Sequence, residues 1–360
     1  MTKRKPDYIF LFSVFALSAV GLIMIFSASP TMGLKLGDSF YFIKRHLFYL
    51  LLGYFALYFG MNLDLSLIRK WSGAFFVAAL ALLLLVYLPG VGRKVLGAAR
   101  WIDLGILSFQ PSELMKFSMV LFLAHLFAGW KDRIKDFWRG LVPILALIAL
   151  VSSLIIKQPD LGTAIAILVT SFIMLFVAGA RALHLFIIGG AGIAGLVILS
   201  ITSAYRFRRI VAYIDPWKDP QGIGYHIIQS LLAVGSGGIF GLGLGASRQK
   251  FFYLPQQFTD FIFAILCEEL GFIGGVFVIA LFALFALRGF RIAFAATDRF
   301  HSLLAAGLVA WLSLQAIINM MVVVGLIPTT GIPLPFISYG GTATVMNLFS
   351  AGILLNISKK

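Results

Sequence analysis

One stretch gives the clearest structural signal in the sequence, Tyr253-Leu-Pro-Gln-Gln-Phe-Thr-Asp-Phe-Ile-Phe-Ala-Ile-Leu-Cys-Glu-Glu-Leu-Gly271. In it, a polar, proline-marked loop passes into a long apolar helix. Asp260 lies at the junction. Thr259 or Asp260 has the short oxygen-bearing side chain of a helix cap, which accepts a hydrogen bond from a free backbone N–H group. Capping is therefore one interpretation of Asp260. A functional carboxylate at a helix N-terminus, where an anion is favoured, is the other.

Two further carboxylates, Glu268 and Glu269, follow two turns later in the same apolar run. Acidic side chains at that depth are costly in lipid, so they mark an interior site that is either functional or tightly paired. The stretch therefore predicts a membrane-embedded helix that carries polar groups for a purpose.

The composition is that of a polytopic membrane protein. The chain has 360 residues, 61% of them hydrophobic, and a mean hydropathy of +1.00, far from the values of a soluble domain. The formal net charge of +15 favours contact with anionic lipid or a phosphorylated ligand. We find no nucleic-acid motif, and we expect no nucleic-acid partner. Cys267 is the only cysteine, which excludes an internal disulfide and a thiol metal cluster.

Apolar runs long enough to cross a bilayer predict an all-α integral membrane protein with ten transmembrane helices in a single polytopic domain, residues 1–360. The basic start, with no convincing cleavage site after it, predicts an uncleaved first span. The predicted spans are Tyr8–Ala28, His46–Met61, Trp71–Leu88, Pro111–Gly129, Leu141–Ile156, Thr163–Ala178, Leu183–Ala204, Asp260–Leu287, His301–Val324 and Gly341–Ile357. The interval 205–259 is the one long excursion between spans, and a connection of that length is usually functional.

An even number of spans places both termini on one side. Lys and Arg divide almost equally between the two sides, so counting alone does not choose the orientation. The short flanks Lys3-Arg-Lys5 and Lys359-Lys360, together with Arg288, weigh most under the positive-inside rule. We therefore expect cytoplasmic termini and a large extracytoplasmic loop between spans seven and eight.

On this topology one face holds nearly all the unusual polarity, and each candidate has a structural interpretation beside the functional one. Glu113 and Lys116 are spaced to pair on a helix. Asp160 stands where an acid commonly caps the next helix. The basic residues around Arg209 are suited to anchoring at lipid headgroups. The glycine run 235–245 could cradle phosphates, but close backbone packing or a re-entrant turn explains it equally well.

Several cations around one isolated acid suit transfer of a group from a diphosphate. A diphosphate is already a good leaving group, so fixed positive charge can offset the developing anion. One carboxylate then suffices as the general base for an attacking hydroxyl, whereas glycoside hydrolysis usually needs two.

Specific motifs resemble, over nearly the full length, those of the SEDS family (shape, elongation, division and sporulation). They are Ser27-Ala-Ser29, Gly97-Ala-Ala-Arg-Trp-Ile102, Phe109-Gln-Pro-Ser-Glu-Leu-Met-Lys116, Gln158-Pro-Asp-Leu-Gly-Thr163, Pro216-Trp-Lys-Asp-Pro-Gln-Gly-Ile-Gly-Tyr225, Tyr253-Leu-Pro255, Thr259-Asp-Phe-Ile-Phe-Ala264, Glu268-Glu-Leu-Gly271 and Leu334-Pro-Phe-Ile-Ser-Tyr-Gly-Gly341. Each motif alone is weak, but together they are highly specific.

The resemblance implies a peptidoglycan glycosyltransferase of the bacterial cytoplasmic membrane that polymerises lipid II into a glycan strand on the outer face. It implies inversion at the donor carbon, undecaprenyl diphosphate as leaving group, and a class B penicillin-binding protein as partner. The family's essential acid falls on Asp260. Matching motifs suggest as substrate-binding residues Arg100, Glu113, Lys116, Asp160 and Ser338, and our own cationic candidates are Arg209 and Lys250.

One departure from the family pattern concerns the residues before the catalytic acid. Many relatives have Pro-Glu-x-His-Thr-Asp, whereas this chain has Pro255-Gln-Gln-Phe-Thr-Asp260, so any assistance from the missing acid and histidine is absent. The motifs resemble the division and sporulation branch more than the rod-elongation branch. A divalent cation, Mg²⁺ or Mn²⁺, could act at the diphosphate, but the sequence contains no dedicated ligand set.

Two other functions fit the same residues. A lipid II flippase also needs intramembrane acids and a polar cavity, although we find no internal repeat of the kind that transporters often have. A scaffold that positions a synthase without activity of its own is the other.

Overall fold

The structure is a computed structural model that describes residues 5–95, 98–103, 108–130, 132–251 and 253–359. Gly97 of the second motif, and Lys3, Arg4 and Lys360 of the charged flanks, lie outside the described residues. The described chain is mostly helical. Its helices are α1 (Tyr8–Ala28), α2 (Pro30–Leu34), α3 (Tyr41–Asn62), α4 (Leu65–Leu85), α5 (Pro111–Gly129), α6 (Val142–Lys157), α7 (Leu161–Val177), α8 (Ala182–Ile201), α9 (Ala204–Ile214), α10 (Tyr225–Ser236), α11 (Ile262–Ala295), α12 (Arg299–Val323) and α13 (Gly341–Ser358).

A helix is found at each of the ten predicted spans. Within the described ranges, eight helices are long and apolar enough to cross a membrane. The other two are α3, which carries Lys44, Arg45 and His46 in its first turns, and α7, which has 17 residues. The coarse prediction of a helical membrane protein is therefore confirmed, while the number of crossings stays a prediction.

A small antiparallel sheet departs from the all-α prediction. Its strands are β1 (Gly92–Val95), β2 (Ala98–Asp103) and β3 (Ser108–Phe109), in the order β1-β2-β3. The strands lie within a polar segment that has too few apolar residues to cross a membrane. Backbone pairing between strands satisfies the N–H and C=O groups there without a helix. The sheet carries Arg100 on β2, and its guanidinium reaches the turn between α6 and α7.

The interval 205–259 is partly helical rather than one irregular loop. It contains the amphipathic helix α9, a short 3-10 turn at Pro216–Lys218, and α10, which packs against α11. The side chain of Arg209 on α9 donates from Nη1 to the carbonyl of Thr329 at 2.8 Å. The interval therefore has ordered helical structure that packs beside the loop joining α12 to α13.

The bundle has two distinct ends. At the Asp260 end, the first residues of α5 and α13 meet through a bond from Gln110 N to Thr342 Oγ1. At the opposite end, called here the terminal end, the Asp7 N–H donates to Ser358 Oγ at 3.1 Å, so the start of α1 meets the end of α13. The described first and last helices thus begin and end on the same side of the bundle.

Helix α11 is broken at Gly271, whose φ of 68° and ψ of −167° are not helical. The glycine run after α10 closes the break from outside. Leu242 N and Gly243 N donate to the carbonyls of Glu268 and Glu269, each at 3.0 Å. Phe272 N donates to the Gly238 carbonyl at 2.9 Å. The backbone groups freed by the break are therefore satisfied, as burial requires.

Glycine is required on both sides of this contact. A Cβ at Gly241 in the glycine run would lie 2.2 Å from the carbonyl oxygen of Glu269, and a Cβ at Gly271 on α11 would lie 2.3 Å from the backbone nitrogen of Gly241. Of the two interpretations of the run 235–245, close backbone packing is the one that the structure shows. It turns the first part of α11, Ile262 to Leu270, into a separate half-helix with Asp260 just before it.

Candidate active site

Asp260 lies in the turn that immediately precedes α11 and is half-buried. The predicted capping role is wrong for both Thr259 and Asp260. The N-cap residue is Phe261, and no side chain caps the helix. Thr259 Oγ1 instead donates back to Gln256. Within the described ranges, no side chain or backbone group hydrogen-bonds the Asp260 carboxylate, so the carboxylate is left available for chemistry.

The backbone on either side of this carboxylate is fixed by α12 and by the loop before α13. Asn319 on α12 donates to the carbonyl of Asp260 and to that of Ile332, both at 2.7 Å. Ser338 Oγ donates to the Thr259 carbonyl at 2.5 Å and accepts from Leu334 N at 2.8 Å. The turn is thus held by main-chain contacts while its acid side chain stays unpaired.

Burial raises the pKa of Asp260 from 3.8 to about 6. The Asp160 carboxylate adds to this increase because a second negative charge nearby disfavours ionisation. Arg100 and Arg209 act in the opposite direction and lower the pKa. The structure therefore brings together four of the predicted site residues, two acids and two cations, around one point.

Asp160 is the N-cap of α7, as its position predicts. Its Oδ1 accepts from Thr163 N at 3.1 Å and its Oδ2 from Thr163 Oγ1 at 3.0 Å. Arg100 reaches the same turn from β2, where Nε donates to the Gln158 carbonyl at 2.9 Å and a second guanidinium nitrogen donates to the Pro159 carbonyl. Asp160 thus has a structural role, and its charge also acts on Asp260.

Gly331 places the α12–α13 loop beside the acid. A Cβ at this position would lie 3.6 Å from Asp260 Oδ2, and the φ of Gly331 is 76°, a conformation that side chains rarely adopt. Glycine at position 331 is therefore favoured by its backbone conformation, since a side-chain Cβ would make only an ordinary contact with the carboxylate.

Glu113 and Lys116 form the buried ion pair that their spacing predicts, with 2.8 Å between Oε1 and Nζ. Lys116 also donates to Gln315 Oε1 at 2.9 Å, and Gln315 Nε2 donates to the Pro333 carbonyl at 3.0 Å. The second carboxylate oxygen of Glu113 has no hydrogen-bond partner within the described chain. The pair therefore supports the α12–α13 loop from inside the bundle.

Lys250 belongs to a different cluster, which we call the clasp: Ser27, Ser247, Lys250, Glu268 and Glu269. Lys250 Nζ lies 3.3 Å from Glu269 Oε1. Ser27 Oγ lies 2.6 and 2.7 Å from the two oxygens of the same carboxylate. The structure does not place Lys250 among the groups that act on Asp260, so its predicted contact with substrate stays a prediction.

Sequence reasoning did not find Asn319, Gly331 or His226. His226, in the first turn of α10, stacks on the ring of Phe261 with centroids 6.0 Å apart. Burial and the nearby Arg209 lower its pKa. An amide such as Asn319 in an otherwise apolar helix is the kind of signal that could have pointed to this site.

A metal site does not emerge from the described residues. They contain no group of three or more His, Cys, Asp or Glu side chains placed to hold an ion. Asp160 and Asp260 are the two carboxylates near each other, and the first of them is engaged in capping α7. Any divalent cation would depend on oxygens supplied by the substrate.

A bundle of apolar helices, with an unpaired carboxylate before a broken helix and two arginines whose charges act on it, defines an integral membrane protein with a candidate polar site. Residues 8–360 match the family model described as cell cycle protein, FtsW/RodA/SpoVE. The chain belongs to this family, and the resemblance found from the motifs is confirmed. It is a multi-pass protein of the bacterial cytoplasmic membrane.

Two relatives cover almost the whole chain. "Stage V sporulation protein E" of Bacillus subtilis (strain 168) is 47% identical over 358 residues, covering 99% of this chain and 98% of the relative. "Probable peptidoglycan glycosyltransferase FtsW" of Geobacter sp. (strain M18) is 42% identical over 355 residues, covering 98% and 97%.

Two solved structures share the fold. A chain from a peptidoglycan synthase complex that coordinates polymerization and crosslinking has a TM-score of 0.82 and 31% identity, covering 98% of this chain and 97% of its own. The rod shape determining protein RodA of Thermus thermophilus has a TM-score of 0.73 and 29% identity, covering 98% and 96%.

Proposed function

We propose that this protein is a peptidoglycan glycosyltransferase that polymerises lipid II on the outer face of the cytoplasmic membrane. The observation that carries the proposal is the Asp260 carboxylate, which has no hydrogen-bond partner in the described chain and has a pKa raised to about 6. A general base works best when its pKa lies near the operating pH. Curated relatives named as glycosyltransferases support the reaction class.

In the reaction, the Asp260 carboxylate takes the proton of the acceptor sugar hydroxyl. The hydroxyl oxygen forms a bond to the anomeric carbon of the donor while the bond from that carbon to the diphosphate oxygen breaks. The electron pair leaves with undecaprenyl diphosphate, and the donor carbon is inverted. The proton ends on Asp260 and is then lost to water, which restores the base.

Arg100 and Arg209 stabilise the departing diphosphate in this proposal. A guanidinium has five N–H donors, so the bonds of Arg100 to the carbonyls at 158 and 159 leave donors for phosphate oxygens. Fixed positive charge at the leaving group lowers the barrier without the cost of moving it there during the reaction. Glu113, Lys116, Asp160 and Ser338 are further substrate-binding candidates whose observed contacts support the loops beside Asp260. Lys250 remains a weaker substrate-binding candidate.

The proposed topology has ten crossings in one polytopic domain, with cytoplasmic termini. The Asp260 end then faces outward, together with the interval 205–259. Contacts between Asp7 and Ser358 support placing both termini on one side. A divalent cation, Mg²⁺ or Mn²⁺, would supply positive charge at the diphosphate, and an assay with and without each ion tests this part.

The proposed partner is a class B penicillin-binding protein that cross-links the new glycan strand. The likeness to a chain of a peptidoglycan synthase complex supports this. A role in division or sporulation is favoured over rod elongation, because the relatives named SpoVE and FtsW are 47% and 42% identical whereas the RodA structure is 29% identical.

Purified protein with lipid II tests the function. Wild type is expected to make glycan polymer, and Asp260→Ala is expected to make none. Asp38→Asn removes a partly exposed carboxylate that pairs with Lys44 at 2.8 Å, and it serves as the control that keeps activity. Lipid movement without polymer would favour the flippase, and neither activity, alone or with a penicillin-binding protein, would favour the scaffold.

A further inference from the structure

A cavity of about 270 Å³ opens at the terminal end of the bundle, far along the helices from Asp260. It lies where the start of α1, the last turns of α11 and the end of α13 meet. Its polar lining includes Lys5, Asp7, Arg288 and Arg291, and its apolar lining includes Ile292 and Ile357. None of these residues belongs to the candidate active site.

Positive charge prevails around this cavity. The Asp7 carboxylate is already engaged, because Oδ1 accepts from Phe10 N at 2.9 Å and Oδ2 lies 3.7 Å from Arg288 Nη1. Lys5 and Arg291 are exposed and make no ion pair with another described residue. Three cations therefore outweigh one carboxylate and the partial charges, about −0.5 each, at the ends of α11 and α13.

The cavity also borders surface that is suited to the bilayer. On α11, Leu287 is 71% exposed and Phe294 is 80% exposed, and on α1 Tyr8 is 61% exposed. Apolar side chains this exposed on a membrane helix face acyl chains. A cavity lined by basic and apolar side chains, next to residues that face acyl chains, suits a phosphate group such as that of an anionic lipid headgroup.

We propose that this cavity binds a phosphate group at the terminal end of the bundle, carried by an anionic phospholipid headgroup or by a soluble phosphate ester. Arg288 and Arg291 provide guanidinium donors that suit phosphate oxygens, and Lys5 adds a third cation. Because Arg288 is tied to Asp7, binding there also bears on how α1 docks against α11. The proposal does not depend on the glycosyltransferase reaction.

Binding is measured on the purified full-length protein, with short-chain phosphatidylglycerol, short-chain phosphatidylcholine and glycerol phosphate as probes. Wild type is expected to bind phosphatidylglycerol more tightly than phosphatidylcholine. Lys5→Gln/Arg291→Gln is expected to weaken phosphatidylglycerol binding by about 10- to 30-fold, the loss of two charges near an anionic headgroup. If glycerol phosphate binds as tightly as the lipid, the ligand is the soluble ester, and if only the lipid binds, it is the headgroup.

Two further variants distinguish binding in the cavity from a general electrostatic attraction of the anionic lipid to this end of the bundle. Lys70→Gln/Lys135→Gln removes two exposed charges at the same end of the bundle and is expected to bind like wild type. Ala295→Phe fills the cavity from its lining without changing charge and is expected to lose the site. Preserved binding in Ala295→Phe, equal loss in both charge variants, or equal affinity for the two lipids would overturn the proposal. Melting temperatures confirm that each variant is folded.

Discussion

The carboxylates at the two ends of the half-helix Ile262 to Leu270 differ in whether they have partners. Glu268 and Glu269, at its C-terminal end, accept bonds from Ser247 Oγ at 2.5 Å and from Ser27 Oγ at 2.6 Å, and Lys250 pairs with Glu269. Asp260, before its N-terminal end, has no such bond from any described residue. Paired carboxylates hold the backbone in place, whereas the unpaired one can take a proton. Whether a carboxylate has hydrogen-bond and ion-pair partners therefore separates a structural role from a chemical one in this helix.

The sharpest test of this contrast exchanges one carboxylate at each end. Asp260→Asn is expected to lower the polymerisation rate by roughly 10²- to 10⁴-fold, the contribution of a general base. Glu268→Gln keeps an acceptor for Arg248 N and a polar partner for Ser247, so it is expected to retain most activity. Single-turnover rates with lipid II measure both. Equal losses in the two variants would remove the distinction between the ends.

Breaking the clasp is expected to affect folding more than chemistry. Lys250→Met leaves Glu269 buried without its cation, which costs roughly 3–5 kcal/mol of stability. Lys250→Met/Glu269→Gln removes the stranded charge and is expected to recover most of that loss. Unfolding in detergent, followed by tryptophan fluorescence, gives the three stabilities. A single variant as stable as wild type would show that the ion pair contributes little.

Asp260 itself is expected to destabilise the fold when it is charged. Its pKa is 3.8 unfolded and about 6 folded, so the cost is absent below pH 3.8, grows between these values, and is complete above pH 6. At about 1.36 kcal/mol per pKa unit, the full cost is on the order of 3 kcal/mol. Asp260→Asn should therefore melt at a higher temperature than wild type at pH 8. The two should nearly coincide at pH 4, and a variant that gains nothing at pH 8 would contradict the burial argument.

The smallest expected effect is a shift of the pH–rate profile. The wild-type rate should fall as pH drops through about 6, where Asp260 becomes protonated. Because Arg100 lowers that pKa, Arg100→Gln should move the acid limb to higher pH. Arg206→Gln is the matched control, since its guanidinium bonds to the Leu199 carbonyl and is not among the charges that act on Asp260. Identical limbs in all three proteins would remove Arg100 from the electrostatics of the site.

Apolar run length located the helices well, because the thickness of the bilayer dictates how many residues must be hydrophobic. It located their ends less well. Helix α3 begins at Tyr41 rather than His46, and α11 continues past Arg288 to Ala295. Long basic side chains extend their charge to water while their stems stay against apolar surface, so a charged residue does not end a helix.

The candidate site also has a part that the sequence predicts and a part that it does not. Motifs on separate stretches were enough to indicate Asp260, Asp160 and Arg100, and the fold brings their charges together. The pairing of Lys250 with Glu269 was not predicted, because the two residues are far apart in sequence, and its role as a substrate-binding residue stays a prediction. The hydrogen bond from Asn319 to the Asp260 carbonyl depends on how α12 packs, and no local sequence pattern specifies that packing.

The break at Gly271 also sets the depth of the reaction. An unbroken rod of 34 residues would measure about 51 Å, well beyond a hydrocarbon core of about 30 Å. Interruption leaves a spanning piece of roughly 36 Å and a short piece of roughly 14 Å whose direction is set separately. Asp260 therefore need not stand far out in water, and in the proposed reaction a lipid-linked sugar would reach it close to the bilayer.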